Sequence, residues 1–310
     1  MISSFKVASI ILALGCLIFY FPACGGKGPV GVNEADVERV LAEHPGRLPL
    51  GDGRLSDVPK RGYVMLCRAG FAGSLSAAGA HRAGEWIYSD GTWDPNAKTV
   101  EVDGDVAWDR YRYEISLDGA ERKVSGNGLP SHRTGIFPIQ PTDDAYQYDR
   151  NPNKIEEYGL SFSLPAMPAL AERAGCLPMG AIGVMKSGVV IFNAFDADVR
   201  DAVAYEIQDK CNGHPEVDNR YHYHNLSKCI EDKSQGRHSD LVGYALDGFG
   251  IFGMYGENGK LLSNRDLDEC HGHTHTILWD GKEVLMYHYH ATKEFPYLLG
   301  CYRGTPAVRQ

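Results

Sequence analysis

The chain has no run of lysine and arginine, and its formal net charge is −9. The positive footprint of a nucleic-acid-binding surface is therefore missing. It also lacks a Gly-x-Ser-x-Gly elbow, a His-Glu-x-x-His helix and a phosphate-binding loop. The usual sequence signs of a serine hydrolase, a zinc protease or a nucleotide-driven enzyme are thus absent. No cysteines are spaced Cys-x-x-Cys, which speaks against a zinc ribbon. The uncharged apolar run at residues 7–21 is shorter than the ~20 residues a membrane-spanning helix needs.

That run follows a single cation, Lys6, and reads as the core of an export signal. Phe21-Pro-Ala-Cys24 ends it, with Gly25 and Gly26 behind. A small residue before a cysteine at this place resembles a bacterial lipoprotein processing site. Residues 1–24 are therefore expected to be a signal peptide or lipoprotein signal, with Cys24 as the lipidation candidate. An ordinary cleaved signal and an uncleaved N-terminal anchor are the alternatives. Either way the protein is expected to be exported, periplasmic or at the cell surface, and held to the membrane through its N-terminal anchor or lipid. Apart from Cys16 and Cys24 there are six cysteines: Cys67, Cys176, Cys211, Cys229, Cys270 and Cys301. An even number in an oxidising compartment suggests disulfides.

Glycine is abundant, at 36 residues, which favours tight turns over long helices. Residues 25–60 read as a linker with one short helix, capped by Asn33, with Glu34 and Asp36 in its first turn and Val37, Val40 and Leu41 on one face. Strand and turn signals then alternate, at 61–67, 85–88, 98–102, 106–108 and 111–117. Residues 141–158 read as a surface loop, and only 167–174 looks helical in that part. The expected fold is mainly β: one β-rich domain over 61–305.

Two segments of the C-terminal half resemble each other about 60 residues apart. Ile182-Gly-Val-Met-Lys-Ser-Gly188 to Ile191-Phe192 matches Val242-Gly-Tyr-Ala-Leu-Asp-Gly248 to Ile251-Phe252, each a hairpin pattern. Asp209-Lys-Cys211-Asn-Gly213-His214 matches Asp268-Glu-Cys270-His-Gly272-His273, and Tyr221-His-Tyr-His224 matches Tyr287-His-Tyr-His290. The duplicated units span about 182–229 and 242–301 and are expected to form facing hairpin units about a pseudo-twofold axis. Equivalent cysteines should play equivalent roles. That pairs Cys211 with Cys229 and Cys270 with Cys301 and leaves Cys67 for Cys176, with pairing across the copies as the runner-up.

Nine of the twelve histidines fall between residues 214 and 290. On a strand, alternate side chains share a face, so His222 goes with His224, His288 with His290, and the tyrosines go to the other face for aromatic packing. Imidazoles two residues apart can chelate one ion, and zinc or copper suits them. The four histidines are expected to converge on one shared site, helped by His214 or His273, with His271, His275, His238 and His132 as further possibilities. Asp247, Asp209 and Asp268, with Glu269 beside the last, are the carboxylate candidates, as ligands, as partners of a ligating histidine, or as a general base. The competing reading is that the histidines simply satisfy the core.

Gly243-Tyr-Ala-Leu-Asp-Gly248, Leu267-Asp-Glu-Cys270-His-Gly-His273, Tyr287-His-Tyr-His290, Phe295-Pro-Tyr297 to Gly300-Cys301 and Asn127-Gly-Leu-Pro-Ser-His132-Arg-Thr-Gly135 resemble the YHYH proteins, named after that tetrapeptide. The resemblance covers about residues 60–305. Gly250 departs from it, standing where members tend to carry proline. The resemblance implies a domain and an exported setting and supplies no reaction. Three functions stay open: an extracytoplasmic protein binding zinc or copper, a metal-dependent hydrolase, and a non-catalytic surface or interaction domain with structural histidines. No nucleic-acid partner is expected.

Overall fold

Period-two patterning and glycine turns give the described residues three sheets. The computed structural model describes residues 34–67, 82–232, 234 and 236–307, so the apolar run at 7–21, Cys24 and Asn33 lie outside the described residues. Helix α1, Glu34–Glu43, occupies the expected place. Strands β1 (Leu48–Pro49) and β2 (Thr92–Trp93) form a small ribbon. Strands β3 (Tyr113–Asp118), β4 (Glu121–Gly126) and β5 (Leu160–Pro165) form an antiparallel sheet.

The remaining eight strands make one sheet: β6 (Ala181–Met185), β7 (Val190–Phe192), β8 (Gly213–Pro215), β9 (Tyr221–Tyr223), β10 (Leu241–Ala245), β11 (Gly250–Phe252), β12 (Gly272–Trp279) and β13 (Lys282–His290). Their order is β12-β13-β11-β10-β6-β7-β9-β8, which reads alike from either edge. Each half is a hairpin, then a strand parallel to its second arm, then an antiparallel edge strand. At the central seam Tyr244 faces Val184, Gly243 faces Met185 and Ala245 faces Gly183. The hairpins therefore lie edge to edge in one sheet, and not face to face as expected. Face-to-face packing would leave two strands without main-chain partners at the seam.

Both hairpins turn on a glycine in the left-handed region, Gly188 (φ +84°) and Gly248 (φ +91°), where a side chain would be strained. Gly250 lies in β11 and not in the turn. A Cβ there would come within 2.9 Å of the Trp279 ring, so this glycine makes room for an indole.

Other expectations shift. Residues 61–67, 85–88, 98–102 and 106–108 contribute isolated bridges, such as Leu66 to Leu177 and Val102 to Asp209, and no full strands. The stretch expected as a linker is built into the body: β1 pairs with β2, and the Gly51 N–H donates to the buried Asp201 carboxylate at 2.9 Å. Residues 167–174 are not helical. Pro168 drives the residue before it to extended backbone, and the Ala171 N–H is used by the Arg303 carbonyl at 2.7 Å. The 141–158 loop holds a short 3-10 turn, Asp144–Gln147, and buries Asp149 and Asn151.

The disulfides are Cys67–Cys176, Cys211–Cys229 and Cys270–Cys301, the pairing that equivalence of the two units implied. Their sequence separations are 109, 18 and 31 residues. Loop-closure entropy scales with the logarithm of these, so losing the first should cost about 5 kcal/mol and the second about 3 kcal/mol. Denaturant unfolding of the Cys67→Ser/Cys176→Ser and Cys211→Ser/Cys229→Ser double variants checks that order. Equal losses, or the reverse order, contradict it.

Candidate metal centres

On β13, alternation puts His288 and His290 on one face and Tyr287 and Tyr289 on the other. His273 on β12 stands directly opposite His288. His238 comes in from the segment before β10. Four Nε2 atoms meet there: His238 to His288, His238 to His290 and His273 to His288 are each 3.1 Å apart. One ligand atom from each lies within 4.8 Å of the others. Phe252 covers the group, its ring 4.9 Å from that of His288.

The other half builds a second group the same way. His222 on β9 faces His214 on β8, and His224 lies one residue past β9. The His222 and His224 Nε2 atoms are 3.1 Å apart. Phe192 stacks on His222 with centroids 4.1 Å apart. The fourth member here is a carboxylate: Glu206 Oε2 lies 3.2 Å from Nε2 of both His214 and His224. Its approach is too oblique for a hydrogen bond, and neither nitrogen of His214 makes one within the protein. Glu206 directly follows the short helix α2, Ala202–Tyr205, which Asp201 caps. Lys98 Nζ donates to the Glu206 main-chain carbonyl at 2.6 Å, which fixes its place.

Hydrogen bonds on the far side of the rings settle what the Nε2 atoms present. Nδ1 of His238, His288 and His290 faces the carbonyls of Ser239, Met286 and Gly253 at 2.9, 3.1 and 2.7 Å. Nδ1 of His222 and His224 faces the carbonyls of Arg220 and Asn193. A carbonyl only accepts, so each Nδ1 carries a proton, and in the neutral ring Nε2 then presents a lone pair. Burial drives His288 down to about 3, and His290 and His222 well below the ordinary value, so these rings stay neutral. The converging atoms of each group are placed so that they could hold a metal ion between them. Nitrogen ligands 2.0–2.1 Å from a tetrahedral ion stand about 3.3 Å from each other.

In the second group burial would lower His224 and raise Glu206, and their mutual attraction reverses both: His224 is raised, and Glu206, which also faces His214, lies well below the usual carboxylate range. Glu206 therefore brings a negative charge to this group, and the other has none among its four ligand atoms.

The single shared site expected from the sequence does not form. Between β9 and β13 lie β7, β6, β10 and β11, so five strand spacings of ~4.8 Å, about 24 Å, separate the two pairs. Both His214 and His273 join, each its own group. Asp209, Asp268 and Asp247 join neither. They sit with the tyrosines: Tyr221 donates to Asp209, Tyr287 to Asp268 and Tyr289 to Asp247, and main-chain N–H groups of Cys211, Cys270 and Phe249 donate to the same carboxylates. The tyrosines point that way because alternation puts them on the strand face opposite the histidines. Glu269 joins neither group, and its main-chain carbonyl lies 3.9 Å from the Cys301 sulfur.

His271 is buried apart from the groups, with Nε2 3.1 Å from Thr292 Oγ1. His132 bonds Tyr223 on the tyrosine side, and the cysteines near it, Cys211 and Cys229, are joined to each other. His275 pairs with Glu257 at 2.8 Å beside His273.

Sequence reasoning missed Glu206 altogether and gave His238 only a minor place. His238 has no counterpart in the first unit, and that break in the repeat was the one available signal. Glu206 reaches its site through the chain path around α2, which no spacing reveals.

Residues 161–261 match the family model described as YHYH protein. The match includes the first Tyr-His-Tyr-His and stops before the second. No curated protein and no solved structure matches the chain.

The buried histidines make the metal-free protein acid-sensitive. Burial lowers His271 and His288 to about 3, His273 to about 4, and His222 and His290 well below the ordinary value. Unfolded, each takes up a proton near pH 6.5, so the stability they allow is full above about 6.5 and falls toward pH 3, by up to about 1.4 kcal/mol per unit for each ring. His224, raised by Glu206, does not share in that loss. Urea unfolding with chelator present should show stability dropping by several kcal/mol between about pH 6.5 and 5. A flat profile would show that these rings are not held neutral.

Proposed function

We propose, for a chain that is a YHYH-domain protein, that it is an exported protein binding two transition-metal ions, zinc or copper, one in each half of its eight-stranded sheet. The observation that carries this reading is the group of His238, His288 and His290, whose Nε2 lone pairs face one another at 3.1 Å while their Nδ1 protons go to main-chain carbonyls. Histidines that only satisfied a core would each bond a separate partner. Imidazole suits zinc and copper among the metals of an oxidising compartment. The three disulfides support that compartment, and among the described residues no helix is long and apolar enough to cross a membrane. On this reading the export signal ends near Cys24, which carries a lipid that holds the protein at the membrane.

The edge-to-edge pairing of residues 60 apart, Val184 with Tyr244, supports a true internal duplication with its axis at that pair. A metal-dependent hydrolase fits less well. It needs a coordination position open to water, and four imidazoles in one group, or three imidazoles and Glu206 in the other, already fill a tetrahedral shell. A non-catalytic surface domain remains compatible with a protein that only holds ions.

Elemental analysis of tag-free protein should find two equivalents of zinc or copper per chain. His222→Ala and His288→Ala should each remove one, and the double variant both, with all three disulfides still formed. Ion uptake should weaken as pH falls below about 6, because the neutral ring is the ligand. Wild-type protein that takes up neither metal at neutral pH contradicts the proposal.

A further inference from the structure

The two groups differ in three independent ways. The first is access. His214, His222 and His224 are all buried, whereas His238 and His273 are only partly covered. His238 also lines an open cleft of about 630 Å³, together with Lys186, Arg237 and Phe252. The second is charge. Glu206, itself 92% buried by its 8% exposure, neutralises part of an ion's charge in the closed group, and a buried divalent ion without a counter-charge is costly. The four-imidazole group has no carboxylate within its shell.

The third is a neighbour. His273 belongs to two clusters at once, the four-histidine group and a second one with His275 and Glu257. The His273 and His275 rings are 4.5 Å apart. The His275 and Glu257 side chains are 43% and 42% exposed, and they meet at 2.8 Å with Glu257 Oε1 making no hydrogen bond. The Glu257 and His275 side chains are thus half-exposed, and the oxygen facing His275 is shielded from solvent and unbonded, which is what stepwise ligand exchange next to a shared ligand requires. A hydrated cation would be drawn by the carboxylate, exchange a water for His275, pass to His273 and enter the shell. Among the described residues no equivalent stands beside the closed group: two residues past His214, just beyond the end of β8, is Glu216, which is engaged by Arg220 at 2.7 Å.

We propose that the protein holds one permanent and one exchangeable ion, the exchangeable one in the His238, His273, His288 and His290 group, loaded and released through His275 and Glu257. This rests on the metal-binding reading above and adds to it a direction of traffic: the open site takes up or gives away a borderline divalent cation while the closed site keeps its own.

The test is zinc release from the full-length, zinc-loaded chain mixed with excess 4-(2-pyridylazo)resorcinol, followed by stopped flow. Two phases of equal amplitude are expected, at least about tenfold apart in rate. His288→Ala should delete the fast phase and His222→Ala the slow one. His275→Ala combined with Glu257→Gln should slow the fast phase several-fold while both zinc ions are still bound at equilibrium. Release of both ions at one rate overturns the inference, as does loss of the slow phase in His288→Ala or an unchanged fast phase in the His275/Glu257 variant. Protein that holds no zinc before mixing overturns the metal-binding reading itself, which is a separate failure seen in the loading assay.

Discussion

The hydrogen bonds from histidine Nδ1 to main-chain carbonyls set everything that follows at the sites. Met286 and Arg220 each lie two residues before the histidine they serve, so the strand that carries the ring also locks it. Gly253 and Asn193 lie just past the second arm of each hairpin, and they lock the second ring. With the tautomer fixed, the Nε2 atoms have no proton to share. A lone pair is attractive to a metal ion and repulsive to another lone pair, so the same geometry that would strain a plain core suits an ion.

The opposite face of the same strands explains why that geometry can be held. Each tyrosine of the two tetrapeptides ends on a polar partner: Tyr221 donates to Asp209, Tyr287 to Asp268 and Tyr289 to Asp247, and Tyr223 shares a hydrogen bond with Ser187. Asp209 and Asp268 also gather the N–H groups of the turns that lead to His214 and His273. A disulfide closes each unit just beyond. One face is thus a polar buttress, and the histidine face is held by the same strands one residue out of phase. The histidines keep their positions because the tyrosines keep theirs.

Much of this was legible in the sequence, and the limits are instructive. The hairpins at 182–192 and 242–252 and the pairing of all six cysteines came from repetition, which is a property of order along the chain. The histidine and tyrosine faces came from period-two alternation. How the halves meet did not follow from either. Repetition is compatible with stacking or with edge pairing, and main-chain hydrogen bonding across Val184 and Tyr244 decided for the edge. That choice split one expected site into two. Glu206 and His238 reach the two groups through tertiary path alone, and the donation from Gly51 to Asp201 that ties residues 48–66 to the body is announced by no local pattern.

The central claim is that the converging nitrogens are unprotonated and await a cation. Long-range nitrogen–proton NMR on ¹⁵N-histidine-labelled, chelator-treated protein reads that directly. His222, His288 and His290 should show the Nδ1–H tautomer at neutral pH, and added zinc should shift their Nε2 resonances while leaving the Nδ1 protons in place. Nε2–H tautomers, or Nε2 resonances indifferent to zinc and copper alike, would contradict the account.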